Sequence, residues 1–516
     1  MSKPGFLRTS LAAIVLVTTL GAPAGAAKKA EAAKDTNQAK PAGGIPARPT
    51  ELKYPALAFE VPDGAKYRHE LSNGIPVYIA EDHALPLVNV SITLRAGAFL
   101  DPDGKPGVAV ATGGMLRRGG SGSMSAEEFD EKVDFLAANI NSFGGDTASG
   151  ASVNCISNVV DQGLELFFQM LKTPRFEQAR IDVERENQLE DMKQRNDSPT
   201  TISNREWGWL VRGPNFYVTK ELTRAELEAL SREDMVDFHR KYWRPEHMNG
   251  AVWGDVNPQE MLAKLEKHFK GWSVQGPAVP WPPKGPTNTP QPGVYYVDKD
   301  IPQGRVVIGH LGYQRKSWDD PVPFTLDIMN DILGGGGFTS RLVKRIRSDE
   351  GLAYSAGSDF GVGDYWPGVF EAYYQSKSET VAYAAQIALE EIERIRTTPV
   401  SEDELKISKN SFIDVFPRRF ESAGQRAGTF VDDEYNGRPH EYWKTYRDRM
   451  RAVTADGVLE AAKQNLHAEK LVMLIVGKWD AIKVGDADGH ASMDKFFEGK
   501  ATRLPLRDPL TLEPMQ

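Results

Sequence analysis

The feature that most constrains this chain is an internal repeat. A helical pattern, Ser231-Arg-Glu-Asp-Met-Val-Asp-Phe, precedes a strand-like Met248-Asn-Gly-Ala-Val-Trp-Gly254, and Thr454-Ala-Asp-Gly-Val-Leu-Glu-Ala precedes Leu471-Val-Met-Leu-Ile-Val-Gly477. Ser231 to Thr454 and Gly254 to Gly477 both span 223 positions. Serine and threonine each cap helix starts, so the same start chemistry recurs in register with the same strand end. Two matches at one offset predict a duplicated unit. Both halves mix alternating strands with long amphipathic helices, as at 181–195 and 379–396, which makes the expected class α+β. Between Gly276 and Gly293 seven of eighteen residues are proline. Proline fixes φ and removes a donor, so this stretch reads as a semi-rigid linker between the halves.

The ends of the chain read differently. Lys3 and Arg8, the apolar run Leu11 to Leu20 and the small-residue site Ala24-Gly25-Ala26 have the form of a secretory signal over 1–26. That run is about half a bilayer span. Cleavage would remove two positive charges and take the net charge from −9 to −11. With no long basic run, such a chain is a poor candidate for nucleic-acid binding. Cys155 is the one cysteine, so an exported protein must rely on its core, and its alternating apolar surroundings read as a buried thiol. Residues 27–66 read as a flexible spacer, with order expected from Tyr67. Asn73-Gly74 between apolar runs predicts a hairpin, and Val88, Val90, Ile92 and Leu94 alternate as a half-buried strand should. The expected domains are 67–275 and 294–482, joined by 276–293, with 483–516 as a loose tail.

The order of these elements resembles the pitrilysin/insulinase-type metallopeptidases (inverzincins), in the processing-peptidase-like group with two such domains per chain. The resemblance rests on Asn73-Gly-Ile-Pro-Val, Tyr242-Trp-Arg-Pro-Glu-His-Met, Gly254-Asp-Val, and Ser340-Arg-Leu with Gly351-Leu-Ala-Tyr-Ser. It implies two domains of one type, each a mixed sheet with packed helices. The family's chemistry needs H-x-x-E-H on a helix, two zinc-binding histidines around a general base. Here the matching positions are Val110, Gly113 and Gly114, which can neither bind a metal nor take a proton. Downstream, Glu184, Glu190 and Asp191 are residual carboxylates on a helix that reads as a solvated face. Without zinc, which lowers the pKa of bound water from about 15.7 to about 7, the hydrolytic nucleophile is lost. No cofactor is therefore expected in this chain.

The second half keeps another part of the family pattern. Arg347 and Tyr354 match an Arg/Tyr pair that, in relatives, comes from the domain lacking zinc and reaches the substrate. Gly334, Gly335, Gly336 and Gly337 resemble the mobile glycine-rich loop of a non-catalytic processing-peptidase subunit. Plainer readings stand beside these. Arg347 could pair with Asp349 or Glu350, Tyr354 could be a strand aromatic, and the glycines a tight turn before a helix from about Phe338. The resemblance implies a non-catalytic subunit of a heterodimeric periplasmic zinc peptidase, with zinc held by an H-x-x-E-H partner and unfolded or short peptides as substrates. The alternatives are an inert binding or scaffold protein, and an active peptidase with a different metal site.

Overall fold

The computed structural model describes Leu52 and residues 58–272, 278–283, 285–286 and 288–515. The export signal at 1–26 and the first part of the spacer lie outside the described residues. No helix among the described residues is long and apolar enough to cross a membrane.

The N-terminal half contains β1 (Arg68–Glu70), β2 (Pro76–Glu81), β3 (Leu87–Leu94), α1 (Val108–Arg118), α2 (Ala126–Phe135), β4 (Asn139–Gly144) and β5 (Ser149–Ile156). It continues through α3 (Val160–Lys172), α4 (Gln178–Lys193), α5 (Pro199–Arg212), α6 (Arg224–Ala229), α7 (Arg232–Tyr242), β6 (Met248–Gly254) and α8 (Pro258–Phe269). The C-terminal half begins with β7 (Gly293–Asp298), β8 (Gln303–Leu311), β9 (Tyr313–Gln314), α9 (Val322–Asn330), β10 (Ala353–Phe360), β11 (Val362–Gly363) and β12 (Val369–Lys377). Then come α10 (Val381–Thr397), α11 (Glu402–Val415), α12 (Ala423–Asn436), α13 (Tyr442–Ala452), α14 (Ala455–Asn465), β13 (Val472–Gly477) and β14 (Ala501–Leu504).

Among the described residues these strands form two mixed six-stranded sheets, ordered β1-β2-β6-β3-β5-β4 and β10-β12-β8-β13-β7-β14, with β9 and β11 as a separate pair. The repeat is visible strand by strand. β2 pairs with β6 in parallel, as β7 does with β13. β3 lies antiparallel to β6 and β5, as β8 does to β13 and β12. The two helix starts found in sequence are α7, where Ser231 and Asp234 close a capping box, and α14, where Thr454 accepts from the Gly457 amide.

Alternation explains how each sheet is covered. Val77 and Ile79 face the N-terminal core with Val88, Val90 and Phe167, while Tyr78 and Ala80 face the other way. That second face is covered by Ala427, Phe430 and Val431 of α12, with Phe416, Phe420 and Trp443. In return, Trp207 and Val211 of α5 cover Val307, Val472 and Leu474 of the C-terminal sheet. Each half thus lends one helix to the other's sheet. Burying a large apolar side chain contributes roughly 1.5–3 kcal/mol, so this exchange ties the halves firmly. Polar contacts cross the same seam. Arg68 Nε pairs with Glu434 at 3.1 Å, the Tyr78 hydroxyl donates to Glu434 at 2.6 Å, and that of Tyr435 to the Thr147 carbonyl at 2.9 Å. The described linker residues are held too: the Arg95 guanidinium lies 3.3 Å from the Trp281 ring, and the Asn288 amide donates to the Leu210 carbonyl at 2.8 Å.

Two expectations about the ends are corrected. Order begins before Tyr67: Phe59 packs on Phe416 and Phe420, and Asp63 caps a 3-10 turn at Gly64–Lys66. The aromatic partners lie far off in sequence, so local composition hid them. Nor is the C-terminal segment loose. β14 adds to β7 in parallel, in the slot that β1 fills in antiparallel sense in the other sheet. Beyond it the chain crosses to the N-terminal half. Arg507 Nε meets the buried Glu206 at 3.0 Å, Asn196 donates to the Arg507 carbonyl at 2.7 Å, and the Arg224 amide to the Leu510 carbonyl at 2.7 Å. Deleting residues 506–516 should lower the thermal midpoint by about 3–5 °C, because Glu206 loses a charged partner and the strap is cut. Calorimetry checks this, and an unchanged midpoint would show that the strap contributes nothing.

Candidate functional site

The sequence-predicted residues fall at two places, one in each half. In the N-terminal half, Asp101 starts α1 by accepting from the Gly107 and Ala109 amides, each at 2.7 Å. Burial pushes the Asp101 carboxyl up to about 6. Val110 lies one turn on and is partly exposed. Gly113 is buried against the edge strand: a Cβ there would come 2.1 Å from the Gly144 amide nitrogen and 2.3 Å from the Phe143 carbonyl carbon. The contact is reciprocal, since a Cβ on Gly144 would come 2.1 Å from the Ala109 carbonyl oxygen. The Ser142 hydroxyl donates to the Gly113 carbonyl at 2.6 Å and accepts from the Arg117 amide at 3.0 Å, fastening helix to strand. Gly114 faces open space, so packing does not explain it.

Zinc does not fit these residues. Val110, Gly113 and Gly114 offer no ligand atom, and backbone occupies the space a side chain at 113 would need. Glu184 is paired with Arg118 at 2.5 Å, Glu190 with Lys193 at 2.5 Å, and Asp191 is exposed. They do not converge. Among the described residues, three potential ligand atoms meet only at Asp486, Asp488 and His490, on a C-terminal turn whose Asp486 carboxylate already accepts from backbone amides. A chain carrying Val110→His, Gly113→Glu and Gly114→His together should bind no zinc by titration calorimetry and should melt below the parent. Stoichiometric zinc uptake would refute this account of the β4 contact.

The second place is built at the edge of the C-terminal sheet. Here a glycine again lets a helix approach the edge strand. Gly334 lies near the end of the helical run Asp331–Gly335 that continues α9, and a Cβ on it would come 2.4 Å from the Ser358 amide nitrogen of β10. Gly334 is therefore a packing residue, while Gly335 and Gly337 are exposed. The expected helix from Phe338 is instead a short 3-10 turn, Gly337–Thr339, followed by a π-helical segment, Val343–Asp349. That segment is tethered by arginines. Arg341 meets Glu404 through Nε at 2.7 Å and Nη2 at 3.0 Å, and Arg345 meets Glu390 and Glu391, both at 2.9 Å. Arg347 forms no ion pair with Asp349 or Glu350, nor with any other acid among the described residues.

The geometry brings Arg347 and Tyr354 together. Gly351, at φ +63°, turns the chain, and the Leu352 amide returns to the Ile346 carbonyl at 2.8 Å. β10 then starts with a register shift between Ala353 and Ser355, which leaves Tyr354 as the extra residue of a bulge. Bulges re-aim side chains. Tyr354 is 83% exposed, and the Arg347 guanidinium sits 4.4 Å from its ring centroid. Sequence reading missed Phe338, whose ring centroid lies 4.6 Å from the same guanidinium. It also missed the tethers Arg341–Glu404 and Arg345–Glu391, whose partners lie 63 and 46 residues apart.

Carboxyls are crowded behind this edge. Burial pushes Asp327 up to about 6, with Asp359 and Asp331 adding to the rise and Arg315 opposing it. Asp331, Asp359 and Glu371 are likewise raised, chiefly by burial. A raised carboxyl favours the fold in its protonated form, so its contribution is complete below about pH 4 and is lost as pH rises through about 6. Asp327→Asn should therefore raise the thermal midpoint at pH 7.5, with the gain shrinking toward pH 4.5. A gain independent of pH would rule out this titration.

Comparison with known proteins places the chain in context. The family profile described as "Peptidase M16 inactive domain" matches residues 229–412. A Helicobacter pylori protein named "Non-peptidase homolog YmxG" is 23% identical over 411 residues, covering 78% of this chain and 91% of that protein. An "Uncharacterized zinc protease" of Rickettsia bellii is 22% identical over 344 residues, covering 64% of this chain and 80% of that protein. Among solved structures, the peptidase M16 inactive domain from Pseudomonas fluorescens superposes with a TM-score of 0.70 at 21% identity, covering 80% of this chain and 97% of that one. The periplasmic protease PqqL from Escherichia coli superposes at 0.67 and 17% identity, covering 80% of this chain and 45% of that one.

Proposed function

We propose that this chain is a member of the M16 peptidase family and acts as the non-catalytic, substrate-positioning subunit of a heterodimeric zinc peptidase in the periplasm of a Gram-negative bacterium. One observation carries the reading: the positions that would hold zinc are unable to do so, while a half-buried Arg347 and an exposed Tyr354 stand together, free of any acidic partner among the described residues. Arg341 and Arg345 nearby are, by contrast, tied to acids. Zinc and the general base belong, on this reading, to a separate H-x-x-E-H chain.

The work of this chain is binding and orientation. β10 is the outermost strand of its sheet, and an extended peptide can add to such an edge through main-chain hydrogen bonds. The Arg347 N–H groups and the Tyr354 hydroxyl then donate to carbonyl oxygens of the bound peptide. Donors fixed before the reaction, aimed where negative charge develops, contribute roughly 2.7–4 kcal/mol to the transition state. Unfolded or short peptides suit this geometry because they can lie extended.

A second reading, an inert binding or scaffold protein on the same fold, is favoured by the name of the Helicobacter relative, a non-peptidase homolog. Purification of the tagged chain from its native periplasm, with mass spectrometry of stoichiometric partners, separates the two. The subunit reading expects one partner of similar size with H-x-x-E-H, and turnover by the complex that falls about 100-fold with Arg347→Ala or Tyr354→Phe. Recovery of the chain alone, or turnover unchanged by both substitutions, sinks it.

A further inference from the structure

Phe338 is an exposed aromatic that serves no core. Its side chain is 67% exposed, yet its backbone is held firmly. The Ser340 amide and hydroxyl both donate to the Gly337 carbonyl, at 3.0 and 2.6 Å, and the Thr339 hydroxyl donates to the Gly336 carbonyl at 2.9 Å. Gly337 adopts φ +61° with nothing within 4 Å of a Cβ position, so glycine serves the turn's left-handed backbone there and not a lack of room. The turn delivers the Phe338 ring to 4.6 Å from the Arg347 guanidinium, with Tyr354 at 4.4 Å. Among the described residues, two rings and no carboxylate hold this guanidinium.

Stacking and salt bridging restrain an arginine differently. A carboxylate engages the N–H edge and uses up the donors, whereas an aromatic face engages the flat side and leaves the edge free. We propose that Phe338 is a positioning residue for Arg347: with Tyr354 it holds the guanidinium flat, so that the N–H edge is presented to a carbonyl or carboxylate oxygen of an extended peptide. The glycine run thereby acts on the site through Phe338. This rests on the reading that Arg347 and Tyr354 meet peptide.

The test uses the full chain, labelled with 15N-arginine, and a fluorescein-labelled unstructured decapeptide as probe. Phe338→Ala should shift the Arg347 Nε–Hε resonance downfield as ring-current shielding is lost, and should weaken peptide binding about five-fold, the size expected from one exposed cation–π contact. Phe338→Trp should preserve both, and the thermal midpoint of each variant should stay within about 2 °C of the parent, as for a surface substitution. An unmoved resonance in Phe338→Ala overturns the proposal. So does a shifted resonance with parental binding while Arg347→Ala binds weakly, because the rings would then stack without positioning. If Arg347→Ala itself binds as the parent does, the peptide reading falls and the positioning role with it, whatever the resonance shows.

Discussion

Exchange of α5 and α12 between the two sheets is the contact on which the rest of the structure depends. A sheet with one face buried on its own helices still presents apolar residues on the other, and here Tyr78, Ala80 and Ala251 on one side and Val307, Val472 and Leu474 on the other need cover. Each half provides the missing layer for the other. The arrangement requires two halves of the same design in one chain, which is why the duplication in sequence carries so much structural information. It also fixes which parts of each sheet stay uncovered. α12 packs on β2 and β6, and α5 on β8 and β13, so the strands at the far edges, β4 and β10, are left without a borrowed helix.

Both edges are built with the same device. Gly113 lays α1 against Phe143 and Gly144 of β4, and Gly334 lays the continuation of α9 against Gly357 and Ser358 of β10. Glycine in a helix costs about 1 kcal/mol relative to alanine, and close backbone packing offsets that cost. In the N-terminal half this contact fills the position from which a general base would have to project. In the C-terminal half it leaves the next turns free to build Arg347 and Tyr354. One packing solution thus recurs at both uncovered edges.

Much of this was legible in sequence because it is local. The Asn73-Gly74 hairpin, the alternation of β3 and the Ser231 and Thr454 caps are governed by neighbours within a few residues, and all are present. The Arg347–Tyr354 pairing was legible through motif resemblance, and the geometry brings the two together. Harder to read was anything set by distant partners. Phe59 is ordered by Phe416 and Phe420, Arg507 by Glu206, and Gly113 by β4. Nothing near residue 59 or 507 announces those contacts. The tail was misjudged for the same reason: four residues, Ala501–Leu504, become a strand only because β7 offers an unfilled edge.

The backbone around Arg347 is irregular over a short span. A π-helical segment, a left-handed Gly351 and a bulge at Tyr354 follow one another within a dozen residues. The π-helical segment and the bulge depart from regular pairing and persist where their surroundings over-determine them, whereas glycine adopts the left-handed turn at 351 freely. Arg341 and Arg345 supply that determination through four carboxylate contacts to α10 and α11. A regular helix running into a regular strand would leave Tyr354 paired within β10, with its ring on the pleat. The bulge takes it out of register and sets it over the guanidinium instead. The two charged anchors hold in place a third arginine, which has no acidic partner among the described residues, beside an open strand edge.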